Sequence, residues 1–309
     1  MVLQAQEATT AKAPAGLADA ISALARAGSL ETSTRNLAEI DGYGGLMPAG
    51  TDVYAPWLPG TPYHHLVAVA RHLRRAGFNP VPHISARRLT DTAAARDFFG
   101  RLQGEAGVER VLVIAGDSEA AVGAYDSSLA LIETGLLHEY GIRSLGVAGY
   151  PEGHRKIPEQ VIHAALDAKI AFAQHAGIEL FIVSQFCFDG GAIIDWLQRL
   201  RARGVLTPVR VGVAGPATIR ALINYGLRCG IGNSLKAIGS QAISLPRLVL
   251  QQGPEKVVRR VALGAKGLGI AGLHCFAFGG FANTARWMEN VASGRFRLDE
   301  PGESFSLAD

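Results

Sequence analysis

Short apolar segments rich in Val and Ile alternate along the chain with longer amphipathic segments. The segments with the composition of strands are Ser29–Thr34, Asp52–Pro56, Asn79–Ser85, Arg110–Ala115, Ser144–Gly149, Leu180–Gln185, Pro208–Ala214 and Gly272–Phe278. Helical periodicity marks the segments Tyr63–Ala76, Asp91–Glu105, Ser127–Tyr140, Pro158–Ala176, Ala192–Arg203, Pro216–Gly226, Pro254–Lys266 and Ala282–Val291. This alternation predicts βα units around a parallel sheet.

The number of repeats indicates the architecture. Eight strands followed by helical segments or loops, in a chain of 309 residues, fit the size of a (βα)8 TIM barrel. A doubly wound sheet is the alternative, but Gly42, Gly44 and Gly45 lie in a loop without the strand-turn-helix frame of a dinucleotide fingerprint. We therefore predict one α/β barrel domain over residues 16–309.

Four segments depart from the regular repeat. Residues 1–15 are rich in Ala and Thr without apolar periodicity, which predicts a disordered tail. Helical spacing of apolar residues over Gly16–Gly28 predicts a short helix before the first strand. The connection Thr34–Asp52 is short and glycine-rich, so we expect a stunted first helix or a loop. We predict an extra helix over Ser234–Gln251, before the last strand.

Composition and charge exclude several classes of protein. Hydrophobic residues make up 48% of the chain and charged residues 18%, which is typical of a globular protein and argues against disorder. The net charge is +3, and the basic residues are scattered, so nucleic-acid binding is not indicated. No apolar segment is long enough to span a membrane, and the first residues lack the apolar stretch of a secretion signal. We expect a cytoplasmic protein.

Cysteine usage indicates no metal or disulfide framework. Cys187, Cys229 and Cys275 are far apart and lack ligand spacing, so we expect buried, reduced thiols. The chain also contains no HExxH motif, no HxH after the first strand and no GxSxG elbow. These patterns predict no metal site and disfavour metal-dependent and serine hydrolases.

Reactive groups in such barrels lie at the carboxyl ends of the strands. Polar residues at those ends are Glu31, Tyr54, His83, Ser85, Asp117, Tyr150, His154, Gln185 and Asp189. Some have a structural alternative: Asp117 could cap a turn, and His83 could bond a backbone carbonyl in the core. The carboxamide of Gln185 closes a buried strand and needs partners, which a ligand at the barrel mouth could supply.

These strand ends, taken in order, resemble the methylenetetrahydrofolate reductase family. The matching segments are PHIS (82–85), AGD (115–117), YDSS (125–128), GYPEGH (149–154) and SQFCFD (184–189). The resemblance covers about residues 50–190, and its most specific parts are the YPExH and QFxFD segments. It implies a (βα)8 barrel that carries non-covalent FAD. In that family NAD(P)H reduces the flavin, and the reduced flavin passes hydride to methylenetetrahydrofolate to give 5-methyltetrahydrofolate.

The resemblance implies a role for individual residues. Glu31 resembles the general acid that assists opening of the imidazolidine ring, a task that requires a carboxyl with a raised pKa. Asp117 resembles the aspartate beside the flavin and the pterin, where it takes part in catalysis and binds both ligands. Gln185 resembles the glutamine that binds the folate. The residues that fall where the family holds FAD are His83, Gly116, Asp117, Tyr125, Tyr150, His154 and Lys169.

The chain also departs from the family pattern. Ala115 replaces an arginine before the Gly-Asp pair, and Lys169 is the one cation at the positions that contact the FAD phosphates and ribose. In the family, a polar motif that contains an arginine occupies the last strand; this chain has HCFAFGGF (274–281) there. Charge-assisted contacts contribute about 1.5 to 3 kcal/mol each, so their loss weakens FAD binding unless other contacts replace them. These departures indicate a divergent member.

Three functions stay open on the sequence alone. The first is a flavin-dependent oxidoreductase that interconverts methylenetetrahydrofolate and methyltetrahydrofolate, in either direction. The second is a flavin-free relative in which the nicotinamide delivers hydride directly to the folate. The third is a folate-binding accessory protein without catalysis. The sequence leaves open the choice of NADH or NADPH, the polyglutamate preference and the oligomeric state, a homo-oligomer included.

Overall fold

The computed structural model describes residues 15–32, 34–230, 248–300 and 302–308. The strands are β1 (Ser29–Glu31), β2 (Asp52–Ala55), β3 (Asn79–Ser85), β4 (Arg110–Ile114), β5 (Ser144–Gly149), β6 (Glu179–Ser184), β7 (Val209–Ala214), β8 (Ala217–Thr218), β9 (Gln251–Gln252), β10 (Ile270–Phe276), β11 (Phe296–Leu298) and β12 (Phe305–Leu307). The helices are α1 (Leu17–Arg26), α2 (Leu37–Asp41), α3 (Tyr63–Arg75), α4 (Thr92–Ala106), α5 (Ser128–Ile132), α6 (Leu136–Glu139), α7 (Glu159–Ala176), α8 (Gly190–Ala202), α9 (Ile219–Cys229), α10 (Glu255–Gly264) and α11 (Phe281–Ala292).

Eight parallel strands close into a barrel in the order β1-β10-β7-β6-β5-β4-β3-β2. The predicted (βα)8 barrel is therefore confirmed, and each predicted strand overlaps one of its strands. Outward-facing Val, Ile and Leu of the strands pack against the helices in the main core. Helix starts follow local signals as well: Asp91 caps α4 by accepting a hydrogen bond from the Ala94 amide at 2.8 Å.

Two predicted helices have different bounds in the structure. The segment Ser127–Tyr140 forms two short helices, α5 and α6, because Gly135 adopts a left-handed conformation with φ of 78° between them. The helix predicted from Pro216 begins at Ile219. The residues before it, Ala217–Thr218, instead form β8 and pair with Gln251–Gln252.

Two of the four segments outside the regular repeat are described almost in full, and both follow their predictions. Helix α1 is present and packs against α11 and β10. The first connection contains only the five-residue helix α2, as its length and glycine content indicate. Most of the predicted tail (1–15) and of the predicted extra helix (234–251) lies outside the described residues. At the end of the latter segment, Gln251 lies in strand β9.

A C-terminal hairpin, formed by β11 and β12, was not predicted. Phe305 of this hairpin is buried and lies 6.5 Å from the ring of Trp287. Arg259 is buried beneath it and donates hydrogen bonds to the carbonyls of Asp299 and Ser304. The hairpin therefore adds to the outer core of the barrel.

The cysteine prediction is correct for two residues and wrong for the third. Cys187 and Cys275 are buried, but Cys229 is exposed at the end of α9. Its position is the reason, since it lies on the last turn of a helix whose buried residues are Leu222 and Gly226. Across the described ranges, no helix combines the length and apolar character that a bilayer crossing requires.

The inside of the barrel is layered. At the amino-terminal end, Asp52 accepts hydrogen bonds from Arg110 at 2.5 Å and from Arg210 at 3.0 Å. The next layer is apolar on one side and contains the cluster Tyr54, Val81, Leu112, Phe181 and Val183. Above it, towards the carboxyl ends, polar side chains from β1, β3 and β10 point inward. This polar upper layer lies where barrel enzymes place their active sites.

Candidate functional site

Four polar side chains meet inside the barrel near the carboxyl ends of β1, β2, β3 and β10. Oε2 of Glu31 lies 3.4 Å from Nε2 of His83 and 3.7 Å from Nε2 of His274. The ring of Tyr54 lies 4.3 Å from that of His274 and 5.9 Å from that of His83. Strand register places Glu31 directly beside Tyr54 on β2, and it places His274 of β10 beside Ser29, two residues before Glu31. Glu31, Tyr54, His83 and His274 thus come together. We call these four residues the inner cluster.

The inner cluster holds buried polar atoms that lack partners. Oε2 of Glu31, the Tyr54 hydroxyl, and Nε2 of both His83 and His274 are buried without a hydrogen bond to any described residue. Buried polar groups are nearly always hydrogen-bonded, because an unpaired one costs about 1 to 3 kcal/mol. Four such atoms at one place indicate a site whose polar groups are satisfied by a ligand or by solvent.

Burial sets the protonation of the inner cluster. Desolvation raises the pKa of Glu31, although the nearby His83 acts in the opposite direction. Burial lowers the pKa of His83, against the charge of Glu31. Burial, with the charge of Arg210, lowers the pKa of His274 to about 3. The favoured state is thus a neutral one, with a protonated carboxyl and uncharged imidazoles.

Asp117 lies at the rim, in the loop after β4. Gly116 precedes it with φ of 96°, and an added Cβ there would lie 3.1 Å from the side chain of Ser85, so glycine suits the turn. Burial raises the pKa of Tyr150, and the charge of Asp117 raises it further, so the two side chains share one region. The ring of Tyr150 lies 5.1 Å from that of the exposed His154. The structure thus brings together three predicted cofactor contacts.

Gln185 follows β6 and is positioned by its backbone. Its amide donates to the carbonyl of Gly149 at 2.8 Å, and its own Oε1 accepts from the Phe186 amide at 3.1 Å. Gly212 of the neighbouring strand permits this arrangement, because an added Cβ would lie 2.2 Å from the Ser184 carbonyl oxygen. The half-buried carboxamide therefore sits on the same rim as Tyr150, at the end of the adjacent strand.

Two predicted cofactor contacts lie away from the inner cluster. Tyr125 is buried in the main core, and its hydroxyl donates to Thr92 of α4 at 3.1 Å. That contact is typical of a packing residue. Lys169 is half-buried on the outer helix α7, where burial lowers its pKa, and it has no ion pair among the described residues. A cation without a counter-charge remains available to an anionic ligand.

Sequence reasoning missed two residues that shape the site. His274 belongs to the inner cluster, and the signal in the sequence was a histidine within an otherwise apolar strand. Arg87 donates to the carbonyls of Asp126 at 2.6 Å and Ser118 at 3.1 Å. It thereby holds the loop that carries Asp117, and no pattern in the sequence distinguishes this arginine from its neighbours.

A separate groove of about 580 Å³ lies between the start of α8 and α10, and Asp189 is the one polar strand-end residue named above that lines it. Three of its charged groups already have partners: Asp189 caps α8 through the Gly191 amide at 2.7 Å, and Lys256 pairs with Glu303 at 2.7 Å. The barrel mouth, with its unpaired buried atoms, is the better candidate.

No family model matches the chain. In the part of the chain that the structure describes, no three His, Cys, Asp or Glu side chains are arranged to hold a metal ion.

Proposed function

We propose that this protein is a flavin-dependent oxidoreductase of one-carbon metabolism. It would interconvert 5,10-methylenetetrahydrofolate and 5-methyltetrahydrofolate, with FAD bound at the barrel mouth and NAD(P)H as co-substrate. The observation that carries the proposal is the buried carboxyl of Glu31, which has a raised pKa and an oxygen without a partner. A sheltered carboxylic acid at the base of an open barrel end is suited to protonate a bound substrate.

The rim residues fit a flat, anionic cofactor in part. Asp117, Tyr150 and His154 share one region, and α7 presents Lys169 without a counter-charge. Helix α7 has 18 residues, of which Leu166 and Ala173 are buried, whereas the 13-residue α8 buries six. The outer helix thus leaves much of its surface uncovered, as a cofactor cradle requires. When bound, FAD supplies reversible hydride transfer.

The chain's own residues would perform the acid chemistry. Opening of the imidazolidine ring to the iminium requires a proton on a ring nitrogen, and Glu31 would donate it from its carboxyl. Hydride addition to the methylene carbon then yields the methyl group. In the reverse direction the Glu31 carboxylate would take the proton back. Asp117 would accept hydrogen bonds from the donor edge of the pterin, and the Gln185 carboxamide would orient the same ring.

A second candidate is a flavin-free reductase in which the nicotinamide delivers hydride directly to the folate. One observation favours it: Ala115 and a single cation, Lys169, stand where the resembled family has several basic contacts. Tyr150 and His154, which lie together at the rim, favour the flavin enzyme. The two functions share the inner cluster and differ only in what the rim binds.

The deciding experiment is the visible spectrum of the purified protein, followed by separate measurement of the two half-reactions. The flavin proposal requires bound FAD that NAD(P)H bleaches and methylenetetrahydrofolate restores. Glu31→Gln should leave bleaching nearly intact and slow the folate step at least about a hundredfold, the scale of general acid catalysis. The exposed Glu39→Gln is the control, with both steps unchanged. Colourless protein that still oxidises NAD(P)H with the folate would favour the second candidate. Folate binding without turnover in either assay would overturn both.

A further inference from the structure

Ser29, His274 and Glu31 form a chain of polar groups inside the barrel. The Ser29 hydroxyl lies 3.0 Å from Nδ1 of His274 and 3.4 Å from the carbonyl oxygen of Leu273. On the other side of the ring, Nε2 of His274 lies 3.7 Å from Oε2 of Glu31. Ser29 and His274 are both fully buried, so water does not compete for these contacts.

The contacts of Ser29 accommodate an imidazole with its hydrogen on Nδ1. The Leu273 carbonyl only accepts, so it can take the single hydrogen of the Ser29 hydroxyl. The hydroxyl oxygen then accepts from Nδ1–H of His274. A neutral imidazole with its hydrogen on Nδ1 carries a lone pair on Nε2. That lone pair is the group that faces Glu31.

We propose that His274 is a positioning residue for Glu31: Ser29 holds its ring with the hydrogen on Nδ1, and the lone pair of Nε2 faces the Glu31 carboxyl at 3.7 Å. A carboxylate would instead meet a lone pair with no donor, which disfavours the ionised form. The lone pair of His274 therefore favours the protonated form of Glu31. No covalent bond changes in this arrangement.

Other groups also face the pair from the surrounding strands. They are Tyr54 and Asp52 on β2, His83 on β3, Arg110 on β4 and Arg210 on β7. Asp52 is bonded to both arginines, so these charges largely offset one another. His83 is the nearer imidazole, with its Nε2 3.4 Å from Oε2 of Glu31. Of the two imidazoles, His274 is the one with a described hydrogen bond, to Ser29, that can determine which ring nitrogen carries the hydrogen.

Nuclear magnetic resonance of the full chain tests the proposal without substrate. With ¹⁵N-labelled histidine, His274 should show a protonated Nδ1 and an unprotonated Nε2. With ¹³C-labelled glutamate, the carboxyl signal of Glu31 is identified as the one that is absent from the spectrum of Glu31→Gln. The chemical shift of this signal is then followed as the pH is changed. Ser29→Ala frees the ring to place its hydrogen on Nε2, and His274→Gln provides an amide donor. Each should lower the pKa of Glu31 by about one pH unit or more, tenfold in its ionisation constant.

Ser22→Ala is the matched control, since Ser22 is also a buried serine with one carbonyl bond, to Val291 at 2.9 Å, but lies on α1. It should leave the Glu31 titration unchanged. A protonated Nε2 on His274 in the unmodified protein would overturn the proposal, as would a Glu31 titration that Ser29→Ala leaves unmoved. The use of the acid in catalysis rests on the proposed function, but these readouts do not. If Glu31 titrates as expected in all variants but the protein does not turn over folate, the proposed function is rejected and the role of His274 in positioning Glu31 is retained.

Discussion

Two carboxyl groups lie inside the same barrel on neighbouring strands, in opposite surroundings. Asp52, on β2, has a side chain 8% exposed and accepts from Arg110, Arg210 and Asn79 at 2.5, 3.0 and 2.6 Å. Glu31, on β1, has a side chain 13% exposed, and its nearest polar neighbours are two uncharged imidazoles. The two carboxyl groups are thus similarly buried, but Asp52 is fully paired at the amino-terminal end of the barrel, whereas Glu31 lacks a partner at the carboxyl end.

The difference shows that the two ends of the barrel have different roles. Paired charges at the amino-terminal end close the bottom of the barrel and contribute to stability. Unpaired, neutral groups at the carboxyl end leave polar atoms available to a ligand, at a cost in stability that the rest of the fold tolerates. Changes at Asp52 should therefore affect folding, and changes at Glu31 should mainly affect chemistry.

The largest expected effect is on stability at the lower end of the barrel. Asp52→Ala leaves two partly buried guanidinium groups without their shared carboxylate, and we expect the free energy of unfolding to fall by about 3 to 5 kcal/mol. Urea denaturation measures this change in the free energy of unfolding. Asp41→Ala, which removes an exposed partner of His72, is the control and should cost less than about 1 kcal/mol. Equal losses from the two variants would remove the distinction between the barrel ends.

The next effect is a pH dependence that arises in the inner cluster. His274 has a pKa of about 3 in the folded protein and 6.5 as its ordinary value. Its lowered pKa stabilises the fold above pH 6.5, and this contribution is lost as the pH falls from there towards 3, because the unfolded chain takes up the proton first. The loss is at most about 1.4 kcal/mol per pH unit. His274→Gln should lack this component when urea midpoints are compared across pH, whereas parallel curves for the two proteins would show that His274 is not buried and neutral.

The smallest expected effect is a gain in stability when Glu31 is replaced by glutamine. Its raised pKa means that its contribution to stability is present at low pH and is lost as the pH rises through the folded value. Glu31→Gln cannot ionise, and its amide can donate to an imidazole nitrogen. We expect the variant to be more stable than the unmodified protein at high pH by on the order of 1 kcal/mol, the net value of one hydrogen bond. The gain should shrink as the pH falls, and a stability loss that is the same at every pH would contradict it.

Much of the fold was predictable because it follows from local patterns. Apolar runs and their spacing located every strand of the barrel, and Asp91 marked the start of α4. The division of Ser127–Tyr140 into two helices was not predicted, since Gly135 continues an apolar periodicity that spans the break. The hairpin β11–β12 is too short to show a clear alternation.

The candidate site was predictable in part. Motifs at strand ends located Glu31 and His83, which the structure brings within 3.4 Å of each other. His274 was missed because its inward direction depends on how β10 pairs with β1, which no local pattern gives. Tyr125 resembled a ligand contact by its motif, but its side chain packs in the outer core. Side-chain direction in a closed barrel depends on strand register as much as on sequence spacing.

The two barrel carboxyls, Glu31 and Asp52, differ in whether they hold a proton, and this difference can be measured. Infrared difference spectra across a pH titration report the carbonyl band of a protonated carboxyl. We expect a band that persists at a pH where exposed carboxyls have ionised, that disappears in Glu31→Gln and that remains in Asp52→Asn. Glu255, whose pKa is also raised by burial, is distinguished by the same spectra of Glu255→Gln. A band lost in Asp52→Asn, or no persistent band in the unmodified protein, would contradict the assignment of Glu31 as the buried acid.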